Sequence, residues 1–472
     1  MTAGPPGAGE LPPALTVEHS GVSELNGPLL VVRHVTGVGW DESAVIRVGA
    51  DGSSPARHGL VLEVDRDLAV VQVFEGTDGL VPLRTRLAFS GEPMRIRVGA
   101  GWLGRVCNGR GDPADGGPPL SGATSAAVAG YPLNPTVREP PSEPIVTGLS
   151  AIDALTTLVR GQKLPIFSVA GLPHLELAAQ IAAQARSGDE PFSVVFAGMG
   201  LAHADAEAVR TTLEERSAAG ELVLLLNTAD DPVIERILTP RIALTVAENL
   251  AFELGRHVLV VLADMTSYAE ALREVSAARG EMPGRRAYPG YLYSDLASLY
   301  ERCGRIRGRR GSVTVLPVLT MPAGDITHPV PDLTGYITEG QVVLSQEVHA
   351  RGVYPPVDPL ASLSRLMRHG AGPGLTREDH LDVAAQLLAA LARAREVSEL
   401  ADIVGTSALS GTDQLYLRFA ADVEARLVHQ GPTESRSLTD TLDRCWDVVT
   451  VLPVRELGML SQRLIQTYAK AR

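Results

Sequence analysis

With 472 residues, 45% of them hydrophobic and 21% charged, the chain has the composition of a globular protein and the length of about three domains. The net charge of −13 argues against a nucleic-acid partner, because proteins that bind nucleic acids present basic patches. The three cysteines, Cys107, Cys303 and Cys445, lack disulfide or metal-binding spacing, so we expect a reducing compartment and no metal site. No run approaches the roughly 18 apolar residues of a membrane span, and we expect no direct membrane insertion.

The first hundred residues predict a short tail followed by a small β domain. Residues 1–22 begin with a Gly- and Pro-rich stretch that lacks the charged start and apolar core of a signal peptide, which predicts a disordered tail. Residues 23–100 contain short alternating runs separated by turn residues, a pattern typical of a β-barrel. The clearest runs are 29–32, 44–48 and 68–74.

Residues 101–360 change to alternating strands and helices, which predicts an α/β domain with a mostly parallel sheet. Its strand-like runs are apolar throughout, as strands buried on both faces must be. Helix starts are predicted at Asp231–Pro232 and again at Thr239–Pro240, the second helix ending at Gly255. The predicted strands are 192–196, 222–226, 257–262 and 313–319, and further helices are predicted at 205–215 and 266–279.

Residues 361–472 predict a C-terminal helical bundle, because strand patterns end and apolar residues recur at helical spacing. The predicted helices are 381–397, 409–428 and 438–451.

A turn in the α/β domain resembles a phosphate-binding loop without its binding residues. In G-x-x-x-x-G-K-[ST], backbone N–H groups cradle phosphates, Lys reaches the β- and γ-phosphates, and Ser or Thr holds Mg²⁺. Here Ser168 and Pro173 replace the two glycines, His174 replaces Lys, and Leu175 replaces the hydroxyl residue, although Gly171 remains within the turn. The segment is therefore either an ordinary strand–turn–helix or a degenerate loop with weak phosphate binding.

Asp264 follows the apolar strand 257–262, where P-loop ATPases place the carboxylate that orients Mg²⁺. The same residue is suited to cap the helix that begins near Thr266. Both interpretations stay open on sequence grounds, and without Lys and Thr in the loop we expect any Mg²⁺ binding to be weak.

Ser364 and Arg365 lie at the border between the α/β and helical domains. An arginine there is usually a surface residue or part of a local ion pair. The alternative is an arginine finger, which stabilises charge on a transferring phosphoryl group across an interface.

Six longer motifs occur along the chain, at residues 158–167, 229–241, 268–274, 283–291, 325–341 and 354–359. With them the chain resembles the B (beta) subunits of the V/A-type rotary ATPases and ATP synthases, from about residue 27 to about residue 430. The resemblance implies a multidomain α/β protein with an N-terminal β-barrel, a central P-loop (RecA-like) domain and a C-terminal helical bundle.

The same resemblance implies a non-catalytic, regulatory subunit that alternates with catalytic A subunits in an A3B3 hexamer. It implies that rotation is coupled to ATP synthesis or hydrolysis in a proton-translocating complex. Catalytic subunits of the family carry Glu and Arg where this chain has Leu201 and Ala202, and leucine cannot polarise water. ATP or ADP with Mg²⁺ is expected at the A–B interface, held mainly by the A subunit and not strongly by this chain alone. Arg365 is expected to be the finger, and Ser364 beside it is expected to bind the nucleotide. Ser168, Gly171, His174 and Asp264 are expected to form the chain's own degenerate site, which binds nucleotide weakly.

Further partners are also implied by the resemblance. The loop 283–291 matches the family's rotor-facing hinge, so Arg285 and Arg286 are expected near the central stalk of D- and F-type subunits, although two arginines on a solvated turn would look the same. The N-terminal region is expected to meet the peripheral stalk, and the complex to lie on the cytoplasmic side of a membrane. Two other functions stay open: a scaffold without nucleotide contact, and a rho-type hexameric translocase, which would need an intact loop and a basic channel.

Overall fold

The computed structural model describes residues 18–48 and 55–469. Most of the predicted disordered tail, residues 1–17, therefore lies outside the described residues. For residues 18–22 the prediction is wrong, because Glu18–His19 pairs with the strand Thr85–Pro93 and Val22 begins the next strand. The N-terminal strands form one antiparallel sheet in the order β1-β7-β4-β5-β6-β3-β2, with Leu30, Ile46, Val71 and Leu87 buried on its inner face. The predicted β domain is confirmed as a half-barrel. Its strands are β1 Glu18–His19, β2 Val22–Asn26, β3 Leu29–Arg33, β4 Glu42–Val48, β5 Arg57–Asp65, β6 Leu68–Val73 and β7 Thr85–Pro93.

Short strands connect the half-barrel to the central domain. Two of them, β8 and β10, pair with each other, whereas β9 joins the outer edge of the central sheet beside the strand Leu222–Thr228. The sequence patterns did not predict these strands, which are only two to four residues long. These strands are β8 Arg95–Val98, β9 Val106–Asn108, β10 Thr124–Ala127, β11 Arg138–Glu139, β12 Pro144–Ile145 and β13 Leu158–Val159.

The central sheet has the order β21-β20-β14-β19-β17-β15-β16-β9 and is mostly parallel, as predicted. Antiparallel pairing is confined to β21 against β20 and to β18 with its neighbours. The strands are β14 Ile166–Val169, β15 Phe192–Leu201, β16 Leu222–Thr228, β17 His257–Ala263, β18 Gly304–Ile306, β19 Ser312–Met321, β20 Gly340–Val343 and β21 Leu363–Ser364.

Helices cover both faces of this sheet and alternate with its strands, which confirms the α/β class. Hydrophobic clusters on the two faces contain, respectively, Leu177 and Ile181 of α2, and Ile242 and Leu272 of α5 and α6. The helices are α1 Ser150–Leu155, α2 His174–Gln184, α3 His203–Thr212, α4 Glu214–Ala218, α5 Val233–Glu248, α6 Met265–Ala278, α7 Leu292–Tyr300, α8 Pro329–Ile337 and α9 Gln346–Ala350.

The predicted helix start at Thr239–Pro240 is wrong. Helix α5 runs without interruption from Val233 through Pro240 and continues as a π-helix, Asn249–Glu253. The Thr239 hydroxyl donates a hydrogen bond to the Glu235 carbonyl at 2.7 Å, one turn back. Helical packing on buried neighbours thus outweighs the missing N–H of proline, which alone costs a helix about 3 kcal/mol.

The C-terminal region is helical, as predicted. Its most amphipathic member, α13, buries Leu442, Cys445, Trp446 and Val449 against the rest of the bundle. In residues 18–48 and 55–469, no helix is long and apolar enough to cross a membrane. The helices are α10 Met367–Gly370, α11 His380–Val404, α12 Gly411–Asp422, which continues as a π-helix Val423–Val428, α13 Leu438–Val449 and α14 Gln462–Tyr468.

Candidate functional site

A cleft of about 530 Å³ opens at the carboxyl ends of β14, β15 and β17. Ligands of open α/β sheets bind at this end of the strands, where loops lead into helices. The degenerate loop, the end of β15 with the start of α3, and the first turn of α6 together form its walls. Its polar lining consists mainly of His174, Glu176, Asp205, Asp264, Ser267 and His349.

The loop between β14 and α2 brings Gly171 and His174 to this cleft. Gly171 has a φ of 87°, which a residue with a side chain resists, although there is open space around it. The His174 ring is bound within the protein: Nδ1 lies 2.9 Å from the Leu172 carbonyl oxygen, and Nε2 lies 3.4 Å from the Thr320 hydroxyl. The imidazole is thus held by the loop and by β19, where a lysine would extend toward phosphates.

Ser168, the other residue predicted in the degenerate loop, does not line the cleft. It lies within β14, is fully buried, and donates its hydroxyl to the Val169 carbonyl oxygen at 3.2 Å. The motif comparison placed it at the first glycine of a loop, but the chain is still extended strand at that position. The structure therefore separates Ser168 from Gly171 and His174.

Asp264 is the N-cap of α6, and both of its carboxylate oxygens are occupied. Oδ1 accepts hydrogen bonds from Thr266 N at 2.6 Å and Thr320 N at 3.3 Å, and Oδ2 accepts one from the Thr320 hydroxyl at 2.5 Å. Of the two interpretations left open by the sequence, this geometry matches the capping one. Because Leu175 supplies no hydroxyl oxygen either, the residues of this cleft do not fit Mg²⁺ bound to a nucleotide.

The last residues of β15 complete the cleft without supplying a base. The Gly200 N–H donates to Asn227 Oδ1 at 3.0 Å, and the same oxygen accepts from Arg236 Nε at 3.1 Å. Leu201, where a catalytic carboxylate would stand, is 7% exposed. This end of the strand is thus fixed by Asn227, with an apolar side chain at the position that would activate water.

The charge of the cleft is opposite to that of a phosphate site. Glu176, Asp205 and Asp264 line it, and the described lining residues include no lysine or arginine. A nucleoside triphosphate would face these carboxylates without a lysine or arginine among the lining side chains to offset them. Sequence comparison did not single out Glu176 or Asp205, because an acidic residue in the first turn of a helix is ordinary.

Arg365 lies elsewhere, directly after the edge strand β21. Strand β21 pairs antiparallel with β20, with Ser364 opposite Gly340, and Arg365 N donates to the Glu339 carbonyl oxygen at 2.9 Å. The side chain is exposed and donates from Nη1 to the Thr338 carbonyl oxygen at 3.2 Å. Within the described part of the chain, no carboxylate lies within ion-pairing distance of this guanidinium.

Strand register puts Arg365 at the opposite end of the sheet edge from the cleft. The Glu339 backbone N–H donates to the Lys163 carbonyl oxygen, and Lys163 lies six residues before the last residue of β14. At 3.3 Å per residue, this end of the sheet edge is about 20 Å from the end that borders the cleft. The Ser364 hydroxyl is engaged internally, accepting from Gln162 Nε2 at 2.8 Å and donating to the Thr157 carbonyl oxygen at 3.3 Å. The structure thus brings Gly171, His174 and Asp264 together and keeps Ser364 and Arg365 apart from them.

The predicted rotor-facing loop is fixed to the segment that follows β19. Arg285 Nη1 lies 3.3 Å from Asp332 Oδ2, and Arg286 Nη2 lies 2.7 Å from Asp325 Oδ2. The two arginine side chains are 60% and 48% exposed, so each pair leaves much of the guanidinium open to solvent. Beside them, Met282 is 90% exposed.

Family models match all three parts of the chain. Residues 22–91 match the beta-barrel domain of the ATP synthase alpha/beta family, and residues 148–364 match its nucleotide-binding domain. Residues 369–469 match the C-terminal domain of V and A type ATP synthase.

Whole-chain relatives agree with these models. The chain is 53% identical over 453 residues to the B subunit of an A-type ATP synthase from Aeropyrum pernix, covering 96% of this chain and 97% of that protein. It is 53% identical over 456 residues to a V-type ATP synthase beta chain of Halothermothrix orenii, covering 96% and 98%. Among solved structures, the ATP synthase subunit NeqB of Nanoarcheaum equitans is similar with a TM-score of 0.70 and 36% identity, over 87% of this chain and 98% of that one.

Proposed function

The chain belongs to the ATP synthase alpha/beta family, as one of its A-type and V-type B subunits, and we propose that it completes a nucleotide site on the catalytic A subunit without catalysing itself. It is therefore part of the ATP synthase complex and contains the family's nucleotide-binding type of domain. In that domain, the cleft at the carboxyl ends of the strands and the sheet edge that ends at Arg365 have different roles.

The position of Arg365 carries the proposal. Its guanidinium is exposed, has no carboxylate partner among the described residues, and lies about 20 Å along the sheet edge from the chain's own cleft. An arginine finger needs an available guanidinium that can be inserted into another subunit's site. Arg365 meets that requirement and cannot reach the cleft of its own subunit.

The cleft supports the non-catalytic half of the proposal. His174 and Leu201 stand where a lysine and a carboxylate would be needed, and the carboxylate of Asp264 is used to cap α6. ATP or ADP with Mg²⁺ is accordingly held mainly by the A subunit at the A–B interface. The chain's own cleft holds nucleotide weakly, because its charge opposes phosphate.

The proposal extends to the neighbours in the complex. Three copies alternate with three A subunits, the loop with Arg285 and Arg286 faces the D- and F-type subunits of the central stalk, and the half-barrel end meets the peripheral stalk. The ion pairs to Asp325 and Asp332 give this loop a defined shape while leaving its cations partly exposed to a partner. We assign the assembly to the cytoplasmic face of a proton-translocating complex.

Reconstitution tests the division of labour. The chain alone, the A subunit alone and their mixture are compared for ATP hydrolysis and for binding of a fluorescent ATP analogue. We expect turnover only from the mixture and weak binding by the isolated chain. Enzyme-like turnover by the isolated chain would refute the non-catalytic assignment, and full activity of the mixture with Arg365→Ala would leave a scaffold as the function.

A further inference from the structure

The segment that precedes β14 contacts Ser364 of β21, directly before Arg365, and Glu339, directly before the partner strand β20. We propose that Gln162 is a positioning residue for Arg365, acting through an internal brace formed by Gln162, Lys163, Glu339 and Ser364. The proposal rests on the function assigned to Arg365 above, and it adds how the fold keeps that arginine in place.

Gln162 joins the two edge strands through a single amide group. Its side chain is fully buried, and Nε2 donates to the Ser364 hydroxyl at 2.8 Å and to the Glu339 carbonyl oxygen at 3.3 Å. Its Oε1 accepts from Val159 N at 3.0 Å, which fixes the orientation of the amide. The Gln162 side chain therefore connects the core to Ser364, which precedes Arg365, and to Glu339, which accepts the Arg365 backbone N–H.

Lys163 fixes the other member of the brace. Its Nζ lies 2.6 Å from Glu339 Oε1, its backbone N–H donates to Glu339 Oε2 at 2.8 Å, and the residue is 3% exposed. Glu339 in turn accepts the backbone N–H of Arg365 at 2.9 Å. Both carboxylate oxygens of Glu339 are thus fixed by Lys163, which in turn fixes the Glu339 carbonyl oxygen that accepts the Arg365 N–H.

The geometry at Gly340 explains why β21 can sit so close. A Cβ at this position would lie 2.4 Å from the Leu363 carbonyl oxygen and 3.0 Å from Ser364 Cα, so only glycine allows this approach. Strand β21 has two residues, too few for its ladder alone to hold it. The side-chain bonds of Gln162 and Lys163 supply what the short ladder lacks.

The brace makes Arg365 move with the α/β domain and not with the helical domain. Helix α10 begins at Met367, two residues later, so the arginine stands at the junction with the helical domain. Because Gln162, Lys163 and Glu339 all belong to the α/β domain, Arg365 keeps its position relative to that domain when the helical domain moves. Its entry into the A-subunit site is then set by the motion of the core as a whole.

A double-mutant cycle in the reconstituted assembly tests this role. Gln162→Met keeps the length of the side chain and removes the amide, and Ser364→Ala removes only the hydroxyl that the amide contacts. We expect Gln162→Met to lower kcat by roughly 10- to 100-fold, as small displacements of a catalytic group do, with KM changed less than about threefold. In an Arg365→Ala background, where there is no finger left to position, the same substitution is expected to change kcat less than about twofold.

Gln341→Met is the matched control. Gln341 lies on the same strand, and its Nε2 donates to the Ala361 carbonyl oxygen at 3.1 Å, away from the brace. It is expected to leave kcat within about twofold of the parent. Thermal unfolding and assembly are measured for every variant, and Ser364→Ala keeps the test open if Gln162→Met does not fold.

The outcomes separate this inference from the function it rests on. If Arg365→Ala is inactive but Gln162→Met and Ser364→Ala retain full kcat, the brace is refuted and the finger stands. If Gln162→Met lowers kcat equally in both backgrounds, Gln162 acts through general stability and the positioning role is refuted. If Arg365→Ala itself retains activity, the proposed function fails first.

Discussion

Replacing Arg365 by alanine should separate catalysis from folding. In the isolated subunit the guanidinium is exposed and makes one hydrogen bond, to the Thr338 carbonyl oxygen at 3.2 Å. Loss of one such bond costs about 0.5–1.5 kcal/mol, so the free energy of unfolding of the subunit should hardly change.

The expected loss of activity is far larger. An arginine finger is worth about 10³–10⁵ in rate, which corresponds to about 4–7 kcal/mol of transition-state stabilisation at 1.36 kcal/mol per tenfold. Arg365→Lys should recover only part of this, because an ammonium keeps the charge but lacks the planar fork that binds phosphoryl oxygens.

The assay is steady-state ATP hydrolysis by the reconstituted A–B assembly, with thermal unfolding of each variant measured in parallel. Arg368→Ala is the matched control, since Arg368 is also exposed and lies three residues further along the same domain border. We expect its kcat to stay within about twofold of the parent.

A fall in kcat of less than about tenfold for Arg365→Ala would refute the finger, because that corresponds to less than about 1.4 kcal/mol. A comparable loss in Arg368→Ala would show that the border as a whole, and not this guanidinium, supports activity.

Two further substitutions test the electrostatics of the core. Burial raises the pKa of Glu235 to about 7 despite Arg110 at 3.3 Å, so the stability contributed by its neutral form is lost as pH rises from its ordinary 4.5 through 7. Glu235→Gln should therefore raise the free energy of unfolding by up to about 3 kcal/mol at pH 8 and hardly at pH 4, and an equal effect at both pH values in urea titrations would contradict this. Arg302→Met should cost about 3–5 kcal/mol in the same titrations, because the fully buried guanidinium bonds both oxygens of Glu248 at 2.7 Å. Arg309→Met removes an exposed guanidinium that lies 3.5 Å from Glu253 and donates to the Phe252 carbonyl oxygen at 2.8 Å, so it should cost only about 1 kcal/mol, and similar costs for the two variants would refute the argument.

The sequence was most informative where local pattern and burial agree. The strands at Phe192, Leu222, His257 and Ser312 are buried along nearly their whole length, so their apolar runs predicted both their existence and the parallel sheet. The prediction at Pro240 was wrong because the buried residues of α5 before and after the proline pack against the core, and this packing outweighs the helix-breaking effect of proline.

The site was predictable residue by residue, but not as an arrangement. Substitutions at His174 and Leu201 could be recognised from local motifs, whereas the placement of Ser168 depended on where β14 ends. The brace had no local signal at all, since Gln162 and Ser364 are 202 positions apart and meet only because β14, β20 and β21 are neighbours.

The two ends of the central sheet place different requirements on β14 and on the helix that follows it. Helix α2, which follows the loop, buries Leu177, Ala178, Ile181 and Ala182 in the cluster that also holds β14 and the C-terminal helices. In the first turn of α2, Leu175 packs against that cluster and His174 is held by the loop and by β19, so these two residues are compatible with the core. The strand itself has to stay, because β20, β21 and hence Arg365 are aligned on it. Strand β14 can therefore lead into a loop without the lysine and threonine of a phosphate site at its carboxyl end and still align Arg365 at its amino end.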